Sequence, residues 1–256
     1  MSTELNKPSP RMMPPRINRV PPASTMPERR HAFSPDIPRR GLPQSVVFAD
    51  AGVLLCVCGR QTCIVHFANH YSGRLRIADC VEDEIRRLAS PSGGYTKDGR
   101  LYSTARTAQF HILDAGIGVI EPSEACDARI FDQVHRQLVE LAERNGKDVA
   151  VGSHLGEAMS IALCVQRSRE GNKVIFLTND GDASLIAEAY EVPARHFGHV
   201  LTELVCAGKY QPSEAFEMFS YTQEFSGVPM GARPTEVADL ACVSADAICL
   251  KCDALT

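Results

Sequence analysis

The chain has 256 residues, of which 44% are hydrophobic and 23% charged, a composition typical of a globular protein. This composition excludes a fully disordered chain, a collagen-like chain and a small disulfide-rich scaffold. The net charge of −4 gives no overall basic signature for nucleic-acid binding. No apolar run reaches the roughly 18 residues that a transmembrane helix needs, and the polar N-terminus has no signal-peptide core. We therefore expect a cytoplasmic protein of one large or two small domains that does not enter a membrane.

The first 44 residues differ from the rest of the chain. Residues 1–44 contain ten of the 16 prolines and eight Lys or Arg against three Asp or Glu, so their charge is +5 and the remainder carries −9. The segment has few large apolar side chains and no helical or alternating period. Such a segment cannot bury enough surface to offset the entropy lost on ordering. We therefore predict a disordered Pro/Arg-rich arm, either a solvated tail or a basic contact for RNA or a partner protein.

The ten cysteines lie mostly among Val, Leu, Ala and Ile, which is typical of reduced thiols in a core. Two patterns leave metal binding open. Cys249 and Cys252 form a CxxC pair, and Cys63, His66 and His70 are spaced to share one helix face. A structural zinc site needs four convergent ligands, and neither pattern supplies them. We therefore favour buried thiols and partly exposed histidines over a zinc site.

Apolar runs and amphipathic stripes alternate along the chain from residue 45 onward. The first half predicts a buried strand at 46–49, one or two helices over 53–71, a short strand at 74–79, a helix at 80–89, a break at 90–94, a helix at 101–114, a strand at 118–121 and a long helix, introduced by Pro122 and Ser123, ending near 145–146. The second half predicts a helix at 153–169, a buried strand at 174–177, a helix at 181–190, a strand at 192–196, helices at 199–208 and 213–225, and a further helix over 237–250. This alternation predicts an α/β layer fold with a mostly parallel sheet.

Acidic residues follow the two strongest predicted strands. Asp50 follows the first strand, and Asp180 and Asp182 follow the second. The carboxyl ends of parallel strands meet at one edge of a sheet, where ligands bind. Carboxylates that lie close together repel one another unless a cation neutralises them, and Mg²⁺ or Mn²⁺ is the simplest such cation. Each acid alone is equally explained as the cap of the next helix, so the grouping carries the argument.

Four segments in chain order resemble the motifs of PIN-domain ribonucleases. They are Val46–Asp50 with a strand-end Asp, Val81–Ile85 with a VxxEI helix, Gly156–Ala162 with a GEAxxIA helix, and Leu177–Asp180 with a TxD strand end. The resemblance covers about residues 45–200. It implies a three-layer α/β sandwich with a mostly parallel central sheet and extra helices. The domain would span 45–230 with an insertion around 91–122, followed by a tail at 231–256 containing at most one helix.

The resemblance implies a metal-dependent endoribonuclease, which in prokaryotic toxin-type members is the toxin of a toxin–antitoxin pair. Carried over residue by residue, it gives a catalytic and metal-binding quartet of Asp50, Glu84, Glu157 and Asp180. The cofactor would be Mg²⁺ or Mn²⁺, and the Thr178 hydroxyl would support the site. Asp182 would lie nearby, as the N-cap of the next helix in preference to a fifth ligand. The implied partners are RNA and an antitoxin or another protein, with a homodimer left open.

Two of these acids also fit purely structural roles. Glu84 fits a solvated acidic helix, and Glu157 fits the first turn of a helix, where the dipole favours an acid. Gly156 costs helix stability relative to Ala, which indicates close backbone approach at this point. The second function hypothesis is a PIN-like module with weak catalysis that binds protein or RNA through its arm and insertion. The basic residues that could guide RNA are Arg86, Arg87, Lys97, Arg100 and Arg106.

Overall fold

The computed structural model describes residues 45–90, 99–147, 149–150, 152–222 and 233–241. Its strands are Val46–Ala49 (β1), Leu75–Ala78 (β2), Val119–Glu121 (β3), Val174–Leu177 (β4) and Ala194–Arg195 (β5). Its α-helices are Ala51–Val57 (α1), Gln61–Tyr71 (α2), Asp79–Leu88 (α3), Gly99–Ala108 (α4), Ala128–Arg144 (α5), Leu155–Arg169 (α6), Gly181–Ala189 (α7), Phe197–Cys206 (α8) and Pro212–Thr222 (α9). The predicted alternation of strands and helices is confirmed.

The strands form one sheet in the order β3-β2-β1-β4-β5, and every pairing within the described residues is parallel. Val47 on β1 is paired with Leu75 on β2 and, on the other side, with Ile175 on β4. The side chains of β1 and β4 are almost all buried, so both faces of the sheet are covered. The chain leaves β1 toward β2 and later returns to pair β4 with the other side of β1. The carboxyl ends of β1 and β4 therefore flank the switch point where an open α/β sheet binds ligands.

The helices pack in two groups. In the first group α6 lies against β1, β2 and β4 and contacts α5 and α7. In the second group α1, α2 and α8 contact one another and α9 packs on α8. Because the β1–β2 and β3–β4 crossovers run in opposite directions along the sheet, the right-handed crossover rule assigns their helices to opposite faces. Helices of both groups therefore begin at the edge of the sheet where β1 and β4 end.

The helix α6 is buried almost all round, which is the pattern of a helix inside a core. Gly156 and every residue from Ala158 to Val165 are buried. Glu157 is the acidic residue of its first turn and is only half-buried. A helix that is packed on all sides cannot rotate to expose this carboxyl group, so its position is fixed by the core.

A buried ion pair connects α2, β5 and α8 at the other side of β4. Glu203 on α8 is 1% exposed and accepts hydrogen bonds from Arg195 and from the Tyr71 hydroxyl, the latter at 2.6 Å. His70 Nε2 lies 3.3 Å from Glu203 Oε2. Burial alone would raise the pKa of Glu203, but the Arg195 charge and these hydrogen bonds outweigh burial and lower it. The carboxylate therefore stays charged inside the core.

Some element boundaries differ from the predicted ones. The predicted helical stretch 53–71 is divided at Gly59 and Arg60 into α1 and α2, and the helix expected over 101–114 is α4 continued by a π-helical turn, Gln109–Leu113. The long helix begins only at Ala128, because a 3₁₀ turn and the N-cap Asp127 follow Pro122.

The two ends of the chain are described only in part. Beyond residue 233 the structure describes a 3₁₀ turn, Val237–Leu240, where a helix over 237–250 was expected. The predicted arm at 1–44, the residues from 242 onward and the CxxC pair lie outside the described residues. In the described ranges, every helix is too short or too polar to cross a bilayer.

Replacing Glu203 with Gln is expected to lower the free energy of unfolding by about 3–5 kcal/mol, because Arg195 would remain charged and buried without its carboxylate. Urea unfolding followed by circular dichroism measures this. Glu140→Gln is the matched control, since Glu140 pairs with Arg144 on the exposed face of α5 and should cost less than about 1 kcal/mol. Equal losses in the two variants would contradict the importance of the buried pair.

Candidate functional site

The ends of β1 and β4 open into a cavity of about 200 Å³. All four residues of the predicted quartet line it, and each comes from a different part of the fold. Asp50 follows β1, Glu84 is on α3, Glu157 is in the first turn of α6, and Asp180 follows β4. The structure therefore brings together four acids that are up to 130 residues apart in the sequence.

Asp50 is the most deeply buried acid of the cavity, at 5% exposure. It is the N-cap of α1, since its Oδ1 accepts the backbone N–H of Val53 at 2.8 Å. Its Oδ2 accepts a hydrogen bond from the Thr178 hydroxyl, and Thr178 Oγ1 accepts the backbone N–H of Asp180 at 3.1 Å. Thr178 thus links the ends of β1 and β4, and both oxygens of Asp50 are held in fixed directions.

Burial, with a contribution from neighbouring carboxylates, raises the pKa of three acids of the cavity. Burial raises the pKa of Asp50 to about 7, against the hydrogen bonds from Thr178 and Val53 and with a smaller contribution from the neighbouring carboxylates. Burial followed by the charge of Glu157 raises the pKa of Glu84. Burial also raises the pKa of Glu157, and the charge of Asp180 adds to it. These shifts favour the protonated forms of the three acids, and a bound cation would favour their charged forms instead.

Gly156 allows α6 to approach α3 at the cavity. A β-carbon at this position would lie 3.2 Å from Val81 Cγ2 and 3.5 Å from Glu84 Oε2, and the contact with Val81 is tighter than most side-chain contacts. The missing side chain lets the first turn of α6 lie directly against α3. This close approach explains why a helix-weakening residue precedes Glu157, as the sequence indicated.

The prediction that Asp182 is the N-cap of α7 is wrong. Asp180 is the cap, since its side chain accepts the backbone N–H of Ala183 at 2.8 Å. Asp182 is buried in the first turn and accepts hydrogen bonds from Asn145 Nδ2 at 2.8 Å and Lys147 Nζ at 2.6 Å. The extended backbone after β4 ends at Asp180, which fixes the cap there and turns Asp182 toward the end of α5. Asp182 holds the α5–α6 connection and does not line the cavity.

Lys147 is a cation at the border of the cavity that the sequence analysis missed. Its Nζ lies 3.8 Å from Asp180 Oδ2. Its positive charge opposes the upward pKa shift of Glu157 without reversing it. Burial would lower the pKa of Lys147 itself, but the hydrogen bond and charge of Asp182 outweigh that and raise it. No sequence spacing links Lys147 to the acids, because the contact is made only when α5 packs on α7.

Asn179 is a second residue of the cavity that the sequence analysis did not single out. It lines the cavity between Thr178 and Asp180, and its Oδ1 accepts the backbone N–H of Phe197 at 3.0 Å. Its Nδ2 lies 3.3 Å from Cys56 Sγ. Asn179 thereby fixes the start of α8 and the end of α1 to the strand end that carries Asp180.

The donor atoms of the cavity are of the type that Mg²⁺ and Mn²⁺ prefer, because they are carboxylate oxygens. In the part of the chain that the structure describes, however, no three His, Cys, Asp or Glu side chains are arranged to hold a metal ion as they stand. The side chains of Cys63, His66 and His70 do not share one site. Cys63 is buried, His66 packs edge-on against Tyr210, and His70 contacts Glu203.

The predicted RNA-guiding residues have different surroundings. Arg86 pairs with Glu82 at 2.8 Å and with Asp114 at 3.0 Å, so its charge is already neutralised. Arg87 lies beside Glu84 and faces a groove next to the cavity. Arg100 lies over the Tyr221 ring and Arg106 over the Tyr102 ring, and Lys97 is outside the described residues. Arg87 is thus the one of the described four that faces the site.

No protein-family model matches the chain, and searches of the curated proteins and of the solved structures return no match either.

Without metal, the Asp50 site should destabilise the protein as the pH rises. The folded-state pKa of about 7 lies above the usual value of 3.8, so the folded protein binds a proton between these pH values that the unfolded chain has lost. Stability from this group is therefore present at pH 4 and lost by about pH 7. We expect Asp50→Asn to melt higher than the wild type at pH 8 in chelator and no higher at pH 4.5. Asp132→Asn, on the exposed face of α5, is the control and should show no such pH dependence.

Asp182→Asn should cost about 1–3 kcal/mol of unfolding free energy, because Asn145 and Lys147 donate to different oxygens of Asp182 and the substitution replaces one of these oxygens with an NH₂ group that cannot accept. Asp180→Asn should cost much less, since Asn caps a helix about as well as Asp. Chemical unfolding of both variants at pH 7 measures the difference. A larger loss of unfolding free energy in Asp180→Asn than in Asp182→Asn would contradict these assigned roles.

Proposed function

We propose that this chain is a PIN-like, metal-dependent endoribonuclease that hydrolyses RNA phosphodiester bonds at the four-acid cavity. The observation that carries the proposal is the meeting of Asp50, Glu84, Glu157 and Asp180 at the β1–β4 switch point. These acids stand in the chain order of the four PIN motifs. Asp50 and Asp180 also cap helices, but capping does not require four acids from separate elements to meet, and their mutual repulsion costs stability.

The chemistry of the cavity favours a phosphate substrate held through divalent cations. A cavity lined by carboxylates repels the anionic backbone of RNA unless cations lie between them. The four acids offer only oxygen ligands, which suits Mg²⁺ or Mn²⁺. Cation binding would offset the carboxylate repulsion that adds to burial in raising the pKa values of Asp50, Glu84 and Glu157. When bound, such an ion supplies positive charge to the phosphate and lowers the pKa of a coordinated water.

The residues of the chain have distinct roles in this proposal. Thr178 and the N–H of Val53 orient the two oxygens of Asp50. The carboxylate is therefore already in one orientation before substrate binds and loses little conformational freedom on binding. The raised pKa of Glu157 makes its carboxylate the candidate to accept the proton that the attacking water loses. Lys147, held by Asp182, lies where a positive charge would contact a phosphate oxygen at the Asp180 side of the cavity.

Purified protein should cleave an end-labelled RNA with Mg²⁺ or Mn²⁺ and stop when chelator is added. Asp50→Asn and Glu157→Gln should each lower kcat by more than about a hundredfold, since even residues that only support metal ligands cost 10–100-fold. Glu140→Gln removes one charge from the exposed face of α5 and should leave kcat unchanged. Gel analysis of timed reactions gives kcat and KM.

Calorimetric titration with Mn²⁺ tests the same site without an activity readout. The wild type should bind Mn²⁺ near neutral pH, and Asp50→Asn should bind it more weakly while remaining folded. Cleavage that persists in excess chelator, or at full rate in Asp50→Asn, would overturn the metal-dependent mechanism. RNA binding without cleavage under all metal conditions would favour the alternative of a catalytically weak binding module.

A further inference from the structure

A groove of about 610 Å³ lies directly beside the acidic cavity. The two share Glu84, Gly156 and Glu157 as a common wall. The remaining walls are formed by α3 on one side and by the first turn of α6 with the residues before it on the other, namely Cys80, Asp83, Arg87, Ala150, Gly152, Ser153, His154 and Leu155. A chain molecule whose reacting group lies at the acids would therefore have this groove directly beside it.

Arg87 places a positive charge in the groove, beside the acids Asp83, Glu84 and Glu157 that also line it. Its side chain is exposed and makes no hydrogen bond or ion pair with any residue in the described ranges. The preceding Arg86, by contrast, is bound by both Glu82 and Asp114. Arg87 is close enough to the cavity for its charge to oppose the upward pKa shift of Glu84. Its guanidinium, with five donors in a planar fork, suits a phosphate.

His154 lines the same groove from the segment before α6. It has a backbone φ of 63°, a left-handed conformation that costs energy for a residue with a β-carbon. The residue is half-buried and brings an aromatic imidazole to the lining of the groove. The groove thus combines an unpaired guanidinium and an aromatic ring, the two contacts that a nucleotide needs for its phosphate and its base.

We propose that this groove binds the nucleotide adjacent to the scissile phosphate of a single-stranded RNA, with the Arg87 guanidinium on its phosphate and His154 against its base. The proposal rests on the function proposed above and adds the residues that hold the nucleotide next to the scissile phosphate. Asp50 in the neighbouring cavity is only 5% exposed. A flexible single strand therefore suits the buried acid and the adjoining groove better than a rigid duplex.

The test is fluorescence anisotropy of a short, labelled single-stranded RNA over a series of KCl concentrations, with chelator and again with Ca²⁺. Arg87→Gln should weaken binding about two- to fivefold, the size of one exposed charge contact. It should also flatten the slope of log affinity against log salt by about 0.7, the value for one phosphate contact on a single strand. Arg129→Gln, an exposed arginine on α5, is the matched control and should change neither.

His154→Ala should weaken binding of the single strand without changing the salt slope, because stacking involves no released counterion. A duplex of the same sequence should bind more weakly and should not respond to Arg87→Gln. Thermal melting checks that each variant remains folded. In Mg²⁺, Arg87→Gln should raise KM and leave kcat near the wild-type value, because the residue contacts a neighbouring phosphate and not the reacting one.

The outcomes separate this proposal from the function on which it rests. Normal cleavage together with an unchanged salt slope in Arg87→Gln would overturn the groove and leave the nuclease. Arg87-dependent RNA binding without cleavage under any metal would overturn the hydrolysis and support the groove. Equal, Arg87-dependent binding of the duplex would overturn the single-strand assignment, and absence of any RNA binding would overturn both.

Discussion

Four carboxyl groups meet at one edge of this sheet, and burial together with mutual repulsion disfavours the charged forms of Asp50, Glu84 and Glu157. Three of the four carboxyl groups are anchored by features of the fold that are unrelated to their mutual charge. Asp50 caps α1, Asp180 caps α7, and Glu157 lies on a helix that the core surrounds. The Thr178 hydroxyl donates to the Asp50 carboxylate and accepts the backbone N–H of Asp180, so it links the ends of the adjacent strands β1 and β4. The packing energy of the domain thus holds together charges that would separate in water, and a bound cation would reverse the sign of their interaction.

The parts of the fold that sequence predicts are those encoded by local pattern. The apolar runs at β1 and β4 cannot face water, and the stripe of α5 has one buried side, so these elements follow directly from residue order. The positions of Asp50 and Asp180 at strand ends are predicted as well, because each lies between a predicted strand and the following helix. The PIN resemblance supplied Glu84 and Glu157, whose own surroundings suggested only acidic helix turns.

What sequence could not predict depends on contacts between distant segments. Asp180 and Asp182 are chemically alike and two residues apart, and only the end of the extended backbone decides which one caps α7. The role of Lys147 exists only because the end of α5 reaches the start of α7. Similarly, Cys63, His66 and His70 have metal-like spacing on one helix, yet the surrounding elements give each a different partner.

The bare backbone at Gly156 has a consequence for how this site could vary. Because α6 meets α3 there without an intervening side chain, the separation of Glu84 and Glu157 is set by a contact between two helices. A side chain at this position would push α6 and α3 apart, and a larger side chain would push them further. The spacing between two acids of the cavity is then an adjustable length, controlled by a residue that carries no charge. A substitution series at that point would change the spacing of the two acids without replacing either of them, and under the proposed metal-dependent function it would change which ion fits.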